Sequence, residues 1–113
     1  GADVPTTINQ ISFRVGSLAD LLVWHRKLVE LGVEKIDPRN HGNAWSLYFF
    51  DPEGNRLELY TPTEWHVSQP FGRTFDPAKT EQELRVETAA MVKQDPTHCP
   101  IEDWSRKFAA SLT

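Results

Sequence analysis

The sequence predicts an α+β chain, one β-α-β-β-β module followed by a two-helix tail, and three observations carry that prediction. Ile8 to Val15 alternates apolar and polar residues, the period of a half-buried strand. Leu18, Leu21, Leu22, His25, Leu28 and Val29 then recur at helical spacing until Gly32. Two further alternating runs flank Asp51-Pro52-Glu53-Gly54-Asn55, where Pro presets φ and Gly accepts a positive one, so they form a hairpin.

Taken in order, the first strand puts Ile11, Phe13 and Val15 on one side and Gln10, Ser12 and Arg14 on the other. Ser17 with Asp20 opens the helix in the manner of a capping box, and Gly32 closes it. Val33 to Ile36 suits a short second strand, and Asp37 to Asn43 has the composition of a loop. Ala44 to Phe50 is an aromatic-rich third strand and Arg56 to Tyr60 a fourth. Glu64 to Pro77 holds Trp65, His66, Pro70, Phe71 and Phe75 without periodicity and reads as an ordered wrap. Thr80 with Glu83 caps a helix to about Gln94, and Pro100 sits at the first turn of another, Ile101 to about Leu112. Residues 1–62 are thus the module, and 63–113 a wrap and helical tail of the same domain.

Composition bounds the function. The chain has 113 residues, 39% hydrophobic and 25% charged, as for one globular core. A net charge of −4 with twelve scattered Lys and Arg argues against a nucleic-acid surface. One cysteine, Cys99, permits no intrachain disulfide, and no apolar run approaches the roughly 18 residues that span a bilayer. The expectation is a cytoplasmic protein that engages neither nucleic acid nor membrane. The chain opens on Gly1 and reaches a strand pattern within about ten residues, which suggests a piece of a longer protein.

Strand alternation sorts the side chains into two layers. Ile11, Phe13, Val15, Trp45, Leu47, Phe49, Leu57 and Leu59 would face the first helix. Gln10, Ser12, Arg14, Tyr48, Arg56, Glu58 and Tyr60 would face the other way, onto a surface that is either solvated or the wall of a pocket.

The runs Ile8-Asn9-Gln10-Ile11-Ser12-Phe13, Asn40-His41-Gly42 and Tyr48 to Tyr60, with Asp51-Pro52-Glu53-Gly54-Asn55 before a strand containing Glu58, resemble a module of the vicinal-oxygen-chelate superfamily. That superfamily includes glyoxalase I, bleomycin-resistance proteins and extradiol dioxygenases; the resemblance covers residues 8 to 61 and is nearest the dioxygenase branch, a carboxy-terminal-type module. It implies half of a cupped mixed sheet, completed by a second module through homodimerisation or from a missing amino-terminal half. It also implies a divalent metal held by Glu58 and Gln10, with a third ligand from elsewhere. Gln10 departs from the His usual in the dioxygenases, although glyoxalases use Gln there. Iron(II) is the expected metal, with manganese(II), zinc(II) or nickel(II) as alternatives. His41 and Tyr48, the latter ten positions before Glu58, match the acid-base and substrate-contact positions, so the implied activity is oxidative cleavage of a small aromatic vicinal diol, an oxidoreductase of aromatic degradation. The alternatives are a metal-free small-molecule binding module of the bleomycin-resistance kind and a glyoxalase-like isomerase.

The residues themselves leave plainer readings open. Glu58 also reads as a solvated carboxylate or one neutralised by Arg14 or Arg56, His41 as a surface histidine, and Tyr48 as a packed aromatic. His25, His66 and His98 read as structural or exposed, and Cys99 lacks the surroundings of a nucleophile.

Overall fold

The computed structural model describes residues 10–69 and 71–111, with side chains through 106. Ile8 and Asn9 of the expected first strand, Pro70 of the wrap and Leu112 of the tail lie outside the described residues. The elements run β1 (Gln10–Arg14), α1 (Leu18–Glu30), β2 (Asp37–Asn40), β3 (Ala44–Phe50), β4 (Arg56–Pro62), β5 (Trp65–His66), β6 (Arg73–Thr74), α2 (Glu81–Val92), β7 (Cys99–Pro100) and α3 (Ile101–Ser111). Among these, no helix is long and apolar enough to cross a membrane.

The main sheet has the order β1-β4-β3-β2-β6 and is mixed: β1 runs parallel to β4, and the other pairings are antiparallel. The parallel pair requires a crossover, and α1 belongs to it. Ser17 caps α1, its hydroxyl accepting from the Asp20 amide at 3.1 Å. Leu18, Leu21, Leu22 and Leu28 are the buried stripe that packs on Trp45, Leu47 and Phe49. A full capping box of Thr80 and Glu83 starts α2, which adds Leu84 to the same core. Both helices therefore cover one face of the sheet and leave the other open.

A buried polar hub ties α2 to the sheet. Thr88 Oγ1 donates to the Leu84 carbonyl at 2.7 Å and accepts from Asn40 Nδ2 at 2.8 Å and Trp45 Nε1 at 3.0 Å, which fills the hydrogen-bonding capacity of one hydroxyl. Asn40 Oδ1 in turn accepts from the Gly42 amide, so the hub fixes the backbone on both sides of His41.

Several expectations are corrected. The second strand is not Val33 to Ile36, because Lys35 has φ of 57°, which ends any extended run. It is Asp37–Asn40, read from composition as loop; pairing with β3 outweighs weak strand propensity there. Pro38 is tolerated because its carbonyl accepts from the Phe75 amide on the outer side, so its missing N–H costs no bond to β3. The wrap is not free of elements, since it contributes β5 and β6. Pro100 directly precedes the last helix, which begins at Ile101 as expected, but it also ends an unexpected β7, which pairs with β5 as a separate ribbon. Ile11 and Phe13 are not covered by α1: they are 48% and 52% exposed, because β1 is the sheet edge and α1 sits over β3 and β4.

Candidate functional site

The turn after β3 sets the register of the site. Asp51 Oδ1 accepts the amides of Glu53 and Asn55, and Gly54 adopts φ of 86°. Closing the hairpin there brings Tyr48 opposite Glu58, which explains physically their separation of ten residues. Ser12 lies opposite Glu58 on β1, and Asp37 opposite Tyr48 on β2. Ser12, Glu58, Tyr48 and Asp37 thus form one row across four strands, on the face without helices.

Glu58 is held by hydroxyls. Ser46 Oγ donates to its Oε2 at 2.7 Å and Ser12 Oγ to its Oε1 at 2.8 Å. Partial burial raises its pKa, but the hydrogen bonds from Ser46, Ser12 and Tyr48, helped by His41, outweigh this and hold it below the usual glutamate value. The carboxylate is ionised at neutral pH, and these hydroxyl donors do not use up its roughly four lone-pair sites. No ion pair to it forms among the described residues; the Arg56 guanidinium instead lies over the Tyr48 ring, 4.3 Å from its centre. The expected neutralisation of Glu58 by Arg14 or Arg56 is not realised.

His41 continues the β2 alternation of Asp37 and Arg39. Its Nδ1 meets the Phe71 carbonyl at 3.1 Å and its Nε2 meets the Tyr48 hydroxyl at 2.9 Å. A carbonyl only accepts, so Nδ1 carries a proton and Nε2, in contact with the Tyr48 hydroxyl, is the atom that can accept one. Burial, then the hydrogen bond and charge of Glu58, raise the Tyr48 pKa, which keeps the phenol protonated. Imidazole, phenol and carboxylate therefore stand in sequence. An open pocket of about 780 Å³ beside them is lined by residues that include Asp37, Arg39, His41, Tyr48, Arg56 and Phe71.

The structure thus brings together three of the four residues singled out: His41, Tyr48 and Glu58. Gln10 lies on the same face, opposite Arg56 and one residue pair along from Ser12, exposed and without a polar partner among the described residues. Sequence reasoning missed Ser46, although its position two residues before Tyr48 puts it on the polar face. It also missed Gln69, whose Nε2 donates to the His41 carbonyl at 2.9 Å and whose Oε1 accepts from the Phe71 amide. Nothing in the local pattern marks that contact across 28 residues. His66 stacks on Trp104 and His98 lies against Trp65, both away from this pocket.

One helix-covered sheet face and one open face bearing a carboxylate, a phenol and an imidazole define a module of the vicinal-oxygen-chelate type. The chain belongs to the glyoxalase/bleomycin resistance protein/dioxygenase superfamily, whose family model matches residues 2–59. It is similar to biphenyl-2,3-diol 1,2-dioxygenase 2 of Rhodococcus globerulus, 32% identical over an alignment of 94 residues, with 72% of this chain and 50% of that protein covered. Biphenyl-2,3-diol 1,2-dioxygenase 3 of the same organism is 30% identical over 88 residues, 65% of this chain and 46% of its own. The metallothiol transferase FosB of Bacillus licheniformis is 43% identical over 44 residues, 37% of this chain and 29% of the transferase. The chain spans half or less of the length of these relatives. No solved structure matches it.

Proposed function

We propose that this chain is one module of a metal-dependent dioxygenase that cleaves the ring of a small aromatic vicinal diol. The observation that carries the reading is the 2.9 Å contact between His41 Nε2 and the Tyr48 hydroxyl, one strand from an ionised Glu58. Similarity to two biphenyl-2,3-diol dioxygenases supports the substrate class.

The donor set fits a divalent metal as a half-site. Glu58 offers an ionised carboxylate with unused lone pairs, and Gln10 an unpartnered amide oxygen on the same face, both hard donors. No group of three His, Cys, Asp or Glu side chains converges among the described residues, so a second module would supply the remaining ligands. When bound, the metal would bring diol and dioxygen together and lower the pKa of the diol hydroxyls. His41 Nε2 would take the proton a hydroxyl releases, since its Nδ1 is committed to the Phe71 carbonyl. Tyr48, kept protonated, would donate its hydroxyl hydrogen to a substrate oxygen. Both oxygen atoms enter the product as the ring carbon–carbon bond beside the diol breaks, and dioxygen is the oxidant, so no external reductant is consumed.

The second module would dock at the β1 edge. Among the described residues β1 pairs only with β4, its Ile11 and Phe13 are half exposed, and Phe13 and Trp24 of α1 line a cleft of about 560 Å³. A second copy of this chain or a further half of a longer protein would satisfy that edge.

Oxygen uptake with a panel of catechols, in the presence of iron(II), tests the reading: stoichiometric consumption that Tyr48→Phe and His41→Asn abolish supports it. The match to the metallothiol transferase favours a second reading, group transfer on a similar metal site. That chemistry consumes no dioxygen, so the same assay separates the two.

A further inference from the structure

The pocket beside His41 and Tyr48 is cationic in an acidic protein. The chain carries a net charge of −4, yet the charged residues lining this pocket are Asp37, Arg39 and Arg56, with His41. Asp37 and Arg39 neutralise each other, Arg39 Nε lying 3.1 and 3.0 Å from the two carboxylate oxygens. Arg56 has no such partner: no ion pair or hydrogen bond engages its guanidinium among the described residues. Glu58, two residues on and on the same face, accepts from Ser12 and Ser46 and forms no ion pair with Arg56 among the described residues. Arg73 extends the pattern at the rim, with its guanidinium 5.8 Å from the centre of the Phe71 ring and no carboxylate partner among the described residues.

Stacking uses the flat face of Arg56 and leaves its edge of N–H donors unfilled. That edge has the geometry of a two-point carboxylate contact. The Tyr48 ring connects the two ends of the pocket, with its hydroxyl meeting His41 and its face lying under Arg56. A ligand that touches the hydroxyl with one end therefore reaches the guanidinium within about one ring's width.

We infer that the substrate of this pocket carries a carboxylate, which Arg56 selects. The inference rests on the diol reading above and adds a charge to it: the preferred class is an aromatic vicinal diol with an acidic substituent on the ring, in contrast to a wholly neutral one. The exposed position of Arg56 makes the contact sensitive to salt.

Titration calorimetry in excess manganese(II) tests this, with 3,4-dihydroxybenzoate and its neutral amide as probes on the whole chain and on Arg56→Gln and Arg56→Lys. The benzoate should bind about tenfold more tightly than the amide to the parent, the ratio expected of one charged hydrogen-bonded contact. Arg56→Gln should bring the ratio below about twofold, and Arg56→Lys should keep part of it. Equal affinities in the parent, or a preference that survives Arg56→Gln, would overturn the assignment while leaving the diol reading standing. Failure of both compounds to bind the parent would remove the diol reading and this inference together.

Discussion

Ser46, closed to solvent on β3, donates its hydroxyl to Oε2 of Glu58 at 2.7 Å. The bond reaches from one strand to the next and works against the desolvation of the carboxylate. Its removal should therefore be visible in the titration of Glu58 and in acid stability. The folded pKa of Glu58 lies below its unfolded value of about 4.3. Its stabilising contribution is thus fully present above that pH and is lost as pH falls through the folded pKa. In Ser46→Ala the folded pKa should rise, so that acid unfolding begins at higher pH. Carbon-13 titration of the glutamate side chains checks the shift; an unmoved Glu58 would show that Ser46 is not what holds it down.

Thr88→Val should destabilise the fold by about 2 to 4 kcal/mol, because two buried donors, Asn40 Nδ2 and Trp45 Nε1, lose their acceptor while the volume is kept. Thr88→Ser retains the hydroxyl and should lose much less. Urea denaturation at unchanged m-value measures both.

Gly42 has φ of 76°, and a Cβ there would lie 2.9 Å from Val67 Cγ2 and 3.2 Å from Phe71 Cδ1. Gly42→Ala should cost about 1 to 3 kcal/mol of strain. It should also push the wrap away from His41, whose Nδ1 depends on the Phe71 carbonyl. Nitrogen-15 shifts of the imidazole report the second effect, and an unchanged tautomer would argue that the wrap does not position the ring.

Phe13→Asp places a charge on the half-exposed edge at β1. If that edge docks a second copy, light scattering should show the parent as a dimer and the variant as a monomer with unchanged circular dichroism. A parent that is monomeric at all accessible concentrations would leave docking to a different module.

The hairpin and the two-layer division were legible in the sequence because both depend on short-range rules: a Pro-Gly turn fixes the register, and period two fixes the face. Tyr48 and Glu58 follow from these rules alone, and Ser46, though missed, obeys the same ones. Asp37–Asn40 was not legible, since its extended form comes from pairing with β3 and not from its own residues. The same holds for Gln69 and Thr88, whose contacts join segments 28 and 48 residues apart through tertiary packing. Ile11 and Phe13 have the sequence pattern of a buried face, and their exposure shows where this chain leaves a surface open.

If Glu58 is a ligand of a divalent metal, as proposed, the metal that the protein retains depends on its carboxylate. The parent and Glu58→Ala would each be exposed to iron(II), manganese(II) and zinc(II), desalted and assayed by elemental analysis. The parent should retain near-stoichiometric metal per pair of modules, and Glu58→Ala should lose it. Equal retention by both proteins, or none by the parent, would contradict the proposal.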